Sequence, residues 1–207
     1  MLTTDDGGST LPNGFLETEY ITANGAQYIL IGTDRFLSDS PGFYIEFLIS
    51  RRNYDNPYGP HILSSNDSKF LWLSARSING TMLAYKGEEN TYSPIFPLNE
   101  RIVAQFNVSN DLLFSVPGYI DSQIVSAGSG TPSALYVGTY GGGPNQGIYR
   151  LIGNIYKLEL YSGGVKALDL FPCVRQSDQT AGLYDVLNGV FYKSDTATNF
   201  TPGPYVS

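Results

Sequence analysis

The chain has 207 residues, of which 42% are hydrophobic and 14% aromatic, and carries a formal charge of -7. Its twelve Lys and Arg are scattered. That excludes a nucleic-acid partner, which needs clustered cations, and equally excludes electrostatic attachment to an anionic membrane. No stretch approaches the roughly 20 apolar residues of a membrane span, so no membrane insertion is expected.

Sixteen Tyr, eleven Phe and twenty-three Gly against two Met favour strands and turns over helices. Residues 1–14, MLTTDDGGSTLPNG, are polar and acidic with no apolar leader run. They read as a flexible N-terminal arm before one domain over residues 15–207. Phe15 to Ile21 begins the fold, and Gln27 to Gly32 is a short strand after the Asn24-Gly25 turn. Gly42 to Ser50 alternates cleanly, with Phe43, Ile45, Phe47 and Ile49 on the core face. An aperiodic loop follows from Arg51 to His61. The stretches 69–75 and 81–86 form a hairpin around Ile78-Asn79-Gly80, and residues 87–99 read as loop. Residues 101–108, 111–116 and 119–125 make a meander, and Ser133 to Thr139 is a further strand. A glycine-rich loop, residues 140–148, then leads to the strongest pattern in the chain.

That pattern is LIGNIYKLELYSGGVKALDLFP, Leu151 to Pro172. A strict period of two puts Ile152, Asn154, Tyr156, Leu158 and Leu160 on one face. Ile155, Lys157, Glu159 and Tyr161 fall on the other, charged face. Ser162-Gly163-Gly164 supplies the positive φ angles of a tight turn, so a central hairpin is expected. A compact hairpin with its turn at Asn188-Gly189 follows. The lone cysteine, Cys173, excludes an intrachain disulfide and, between Pro172 and Val174, reads as a buried small apolar residue. Short strands with regular turn signals and no helical period predict an all-β, two-sheet antiparallel β-sandwich.

Three segments carry a resemblance: LPNGFLETEYITANGAQYILIG at 11–32, the meander from RIVAQFN at 101 to ALYVGTY at 134–140, and residues 151–192. The last is the most specific, with Phe171-Pro172-Cys173, Gly182-Leu183-Tyr184-Asp185 and Asn188-Gly189-Val190-Phe191-Tyr192. Together they resemble the laminin-G-like, concanavalin A-like jelly-roll domains of phage tail and virion proteins and of bacterial surface proteins. The resemblance implies two antiparallel sheets of roughly six or seven strands each. It implies a recognition or structural module rather than an enzyme. The expected function is a phage virion surface protein, a tail-fibre or capsid-decorating jelly roll contacting host-surface glycans. Its expected location is the virion, with residues 1–14 reaching other virion proteins or sister subunits, and a homo-oligomer open. The alternatives are a purely structural head-fibre or decoration protein, and a secreted or surface bacterial carbohydrate-binding module, ahead of a glycan hydrolase.

No catalytic residue is assigned. The strand motif Glu-x-Asp-x-x-Glu of glycanases on this fold is absent, and Glu17 with Glu19 reads as a pair of solvated carboxylates. His61, the only histidine, has no Gly-x-Ser-x-Gly elbow to serve and reads as exposed or loop-packing. One His and one Cys exclude zinc. No metal ligand is assigned, although calcium stays open because laminin-G-like domains often bind it at a loop rim, where Asp55-Asn56 and Asn66-Asp67 offer oxygen ligands. Trp72 reads as core. Sugar binding needs aromatic faces beside planar polar groups. Two loops have that composition and supply the candidate ligand residues: Tyr54, Asp55, Asn56 and Tyr58, and Tyr140, Asn145 and Gln146. Four sequons, beginning at Asn66, Asn79, Asn107 and Asn199, read as coincidences of composition.

Overall fold

A computed structural model describes residues 11–32, 40–51, 59–65, 71–76, 80–86, 88–92, 96–126, 128, 134–139 and 150–207. Among these, all regular structure is strand, and every strand pair is antiparallel.

The strands in chain order are β1 (Phe15–Glu17), β2 (Ile21–Asn24), β3 (Ile29–Ile31), β4 (Pro41–Ile49), β5 (His61–Ser65) and β6 (Leu71–Arg76). Then come β7 (Gly80–Tyr85), β8 (Glu88–Tyr92), β9 (Arg101–Phe106), β10 (Leu113–Val116), β11 (Ile120–Ile124) and β12 (Leu135–Val137). The last five are β13 (Ile152–Ser162), β14 (Val165–Arg175), β15 (Thr180–Asp185), β16 (Val190–Lys193) and β17 (Thr201–Pro202). The larger sheet has eleven strands, with the path β11-β10-β9-β4-β13-β14-β15-β16 and the short strands β1, β2 and β17 beside it. The smaller has six, ordered β3-β12-β5-β6-β7-β8. The larger sheet exceeds the expected six or seven: its path alone has eight strands, and the short strands β1, β2 and β17 add three.

The two sheets bury one continuous apolar cluster between them. Phe43, Ile45, Phe47 and Ile49 of β4 are fully buried, as their alternation predicts. Tyr85 of the small sheet meets Phe106 of the large one edge-on at 5.0 Å. Each such side chain contributes about 1.5–3 kcal/mol on leaving water.

The central hairpin forms where the sequence places it. Gly163 and Gly164 turn with φ of +57° and +78°, which side chains bearing a Cβ resist. Its strict alternation does not hold. Ile155 is buried together with Leu158 and Leu160. The β13–β4 register shifts between Ile155 and Lys157, so that Tyr156 is the extra residue of a β-bulge. Tyr156 and Lys157 both point outward as a result. A bulge adds one residue without any compositional mark, so alternation alone does not show it.

Two further expectations change. Residues 88–92, read as loop, form edge strand β8 against β7. Glu88-Glu89-Asn90-Thr91-Tyr92 has no apolar alternation because only its backbone is needed at the edge. His61 is not exposed: it opens β5, is fully buried, and stacks on Trp72 with ring centroids 4.6 Å apart. Trp72 donates its indole N–H to His61 Nδ1, so the pair is core structure, in keeping with the reading of Trp72.

Candidate functional site: a cleft where the central hairpin forks

The β13–β14 ladder runs from Ser162–Val165 to Leu158–Leu170 and stops there. Beyond that point the two strands part. The Ile152–Ile155 end of β13 pairs with β2 instead, and the Cys173–Arg175 end of β14 pairs with β1. The chain's C-terminal segment closes the wedge. Glu19 N donates to Pro204 O at 2.8 Å, Val206 N to Glu17 O at 3.0 Å, and β17 pairs with β2.

On the outer face of the large sheet, this fork leaves a cleft of about 430 Å³. Glu17, Thr18 and Glu19 form one wall, Glu46 and Arg101 another, and Tyr156, Lys157 and Phe171 lie where the strands part. Pro172 and Val206 add apolar surface. The bulge is what delivers Tyr156 and Lys157 to the same side. The Arg101 guanidinium carbon stands 4.6 Å from the Tyr156 ring centre, while Arg101 also donates to Glu46. Lys157 Nζ lies 3.6 Å over the Phe171 ring.

A charge network extends behind the cleft. Lys157 pairs with Asp169 at 2.9 Å and Glu159 at 3.4 Å, and Lys166 reaches the same two carboxylates at 3.1 and 2.8 Å. Tyr44 and Tyr161 donate their hydroxyls to Glu46 and Glu159, both at 2.6 Å. Burial, then the bonded carboxylate, pushes both phenols upward, Tyr161 to about 12. Burial alone would raise Glu159. Hydrogen bonds from Lys166 and Tyr161 and the charges of both lysines outweigh it and hold this carboxyl below the usual range.

Next to the cleft, a second aromatic group covers the outer face. Phe15 packs, tilted, at 4.6 Å on Tyr184 and 5.3 Å on Phe191, and Arg175 caps Phe191 at 4.9 Å. The Phe191 ring lies flat because Gly182 lies beneath it; a Cβ there would meet the ring at 2.8 Å and Tyr192 O at 2.3 Å. Cys173 pairs with Gly182 and Glu17 in the sheet and is fully buried. It is buried as expected, yet its register neighbours put it on the outer face. Burial, then the Glu17 charge, pushes the thiol up to about 12, which disarms it as a nucleophile.

Tyr54, Asp55, Asn56 and Tyr58, and Tyr140, Asn145 and Gln146, lie outside the described residues, as do Asn66 and Asp67. Among the described residues no group of three or more His, Cys, Asp or Glu is placed to hold a metal ion. Of the sequons, Asn107 is fully buried and its side chain is spent on Ser40, Pro41 and Leu112. The cleft residues Glu46, Arg101, Tyr156, Lys157 and Phe171 were not singled out from the sequence as ligand residues. The available signal was the charged outward set of the central hairpin; what hid the site was the bulge and the meeting there of residues 17–19 with 204–206.

No family model matches the chain, and no curated protein does. Among solved structures it is similar to a "putative carbohydrate binding protein" from Bacteroides ovatus ATCC 8483, at a TM-score of 0.61 and 12% identity. The match covers 93% of this chain and 62% of that one. At that identity the likeness is one of fold, and the fold is an all-β sandwich.

Proposed function

We propose that the chain is a non-enzymatic carbohydrate-contacting β-sandwich and that the fork cleft is its ligand seat. The observation that carries this is the lining: two aromatic rings, apolar Pro172 and Val206, and planar guanidinium and carboxylate groups in one concavity. Pyranose rings present an apolar face and a rim of hydroxyls, which need that combination. The fold shared with the Bacteroides protein supports the reading.

The chain also lacks the strand motif Glu-x-Asp-x-x-Glu of glycanases on this fold, which supports binding without hydrolysis. The setting we propose is the surface of a phage virion, as a tail-fibre or capsid-decorating protein whose residues 1–14 engage neighbouring subunits. The Bacteroides match favours a second setting, a bacterial surface module with the same kind of ligand.

A glycan array probed with the full chain tests the reading. We expect discrete hits that weaken in an Arg101→Ala, Tyr156→Ala variant whose melting transition is intact. An array without hits would leave a scaffold. Mass spectrometry of purified virions separates the two settings: a stoichiometric chain supports the first.

A further inference from the structure

We propose that Asn24 is a site of spontaneous covalent modification, its side-chain amide closing onto the Gly25 nitrogen, and that the fold withholds the same reaction from Asn188. The Asn-Gly dipeptide occurs at Asn13, Asn24, Asn79 and Asn188, of which Asn79 lies outside the described residues. Asparagine before glycine is chemically labile because no side chain shields the glycine nitrogen. That nitrogen attacks the asparagine Cγ and a C–N bond forms. Its proton passes by way of water to the departing amide nitrogen, which leaves as ammonia, and a succinimide ring remains. Water opens the ring at either carbonyl, giving aspartate or, with the chain rerouted through the side chain, isoaspartate. Water is the only co-reactant.

Asn24 and Asn188 are both exposed, so access to water does not separate them. Their hydrogen bonds do. Asn24 Oδ1 accepts the Ala26 N–H at 3.1 Å. That bond folds the side chain back along the main chain and draws electrons from Cγ. Among the described residues the Gly25 N–H donates to no acceptor, so the nucleophile is free. The Arg150 guanidinium donates to Ala26 O at 2.7 Å and lies 3.4 Å from Gly25 O, where its charge favours the deprotonated amide and the carboxylate that follows. Asn188 is the opposite case. Its Nδ2 donates to Asp185 Oδ2 at 2.6 Å and Ala167 O at 2.9 Å, and the Gly189 N–H donates to Asp185 O at 2.8 Å. Leaving group and nucleophile are both committed, and the Asp185 charge opposes loss of the proton.

The modification falls beside the fork. Asn24 ends β2 and pairs with Ile152 of β13. Its N–H donates to Gln27 Oε1, and Gln27 Nε2 holds Asn199 O. The added main-chain methylene of an isoaspartate shifts that link.

Peptide mapping by mass spectrometry of the full chain, held at mildly alkaline pH and body temperature, tests this. Amide-to-carboxylate conversion is expected at Asn24, with enzymatic methyl labelling of isoaspartate in the same peptide. Asn188 is expected to convert roughly tenfold more slowly, as when one net hydrogen bond must be surrendered before reaction. In guanidinium, where neither turn persists, the two rates should converge. An intact Asn24, equal rates in the folded chain, faster conversion of Asn188, or a gap that persists in guanidinium would overturn the inference.

Discussion

Asp185 and Asn107 are two polar residues whose burial explains why they stand where they do. Asp185 is fully buried and accepts the backbone N–H groups of Asp169 and Leu187, both at 3.1 Å, and the Asn188 amide at 2.6 Å. It ties the β15–β16 turn to the central hairpin, since Val186 N also donates to Asp169 O. Asp185→Ala would leave the backbone N–H groups of Asp169 and Leu187 without their acceptor, while the Asn188 amide keeps Ala167 O. A loss of about 3 kcal/mol is expected, read from the denaturation midpoint. Asn107 plays a similar part just after β9, with φ of +51° and a side chain bonded to both flanking segments. In the sequence Asn107 reads as part of a strand over 101–108, and Asp185 as lying before the Asn188-Gly189 turn. The bonds of Asn107 to Ser40 and Pro41 and of Asp185 to Asp169 do not show there, because those partners lie 16 to 67 positions away.

At the scale of strands, the outer face of the central hairpin is held by cross-strand charge, beside the aromatic cover of Phe15, Tyr184 and Phe191. Glu159 sits on β13 between Tyr44 of β4 and Asp169 of β14. Its carboxyl is held below the ordinary range by Lys166, Tyr161 and Lys157. A group whose folded value is depressed contributes stability above its unfolded value, near 4.3, and loses it as pH falls through the folded value. Lys166 is raised by Glu159 and Asp169 against the effect of burial, so its contribution is lost only in strong alkali. The melting temperature of the wild type is therefore expected to drop on acidification below about pH 4 more steeply than that of Glu159→Gln. Parallel pH profiles would show that the network contributes nothing. The strands themselves were legible in the sequence wherever one face was apolar, as in β4 and the turn of the central hairpin. Edge strand β8 and the bulge at Tyr156 were not, because backbone pairing and an inserted residue leave no hydrophobic period.

Among the described residues, two sheets bury one core, and residues 17–19 meet residues 204–206 on the outer face of the larger sheet. Thr18 bridges to Tyr205, and Glu17 and Val206 share a wall of the cleft. That meeting joins residues nearly 190 positions apart, which is why composition could suggest aromatic and polar loops but not this concavity. The fold class followed from local pattern; the candidate site follows from topology. The central claim is that a carbohydrate is held at the fork. Calorimetry with the best array ligand, compared across wild type, Arg101→Ala with Tyr156→Ala, and Tyr54→Ala with Tyr58→Ala, tests it most directly. The account predicts at least a roughly tenfold loss of affinity in the fork variant, as for removal of buried polar and aromatic contacts, and near wild-type affinity in the loop variant. Full affinity in the fork variant with loss in the loop variant would contradict it.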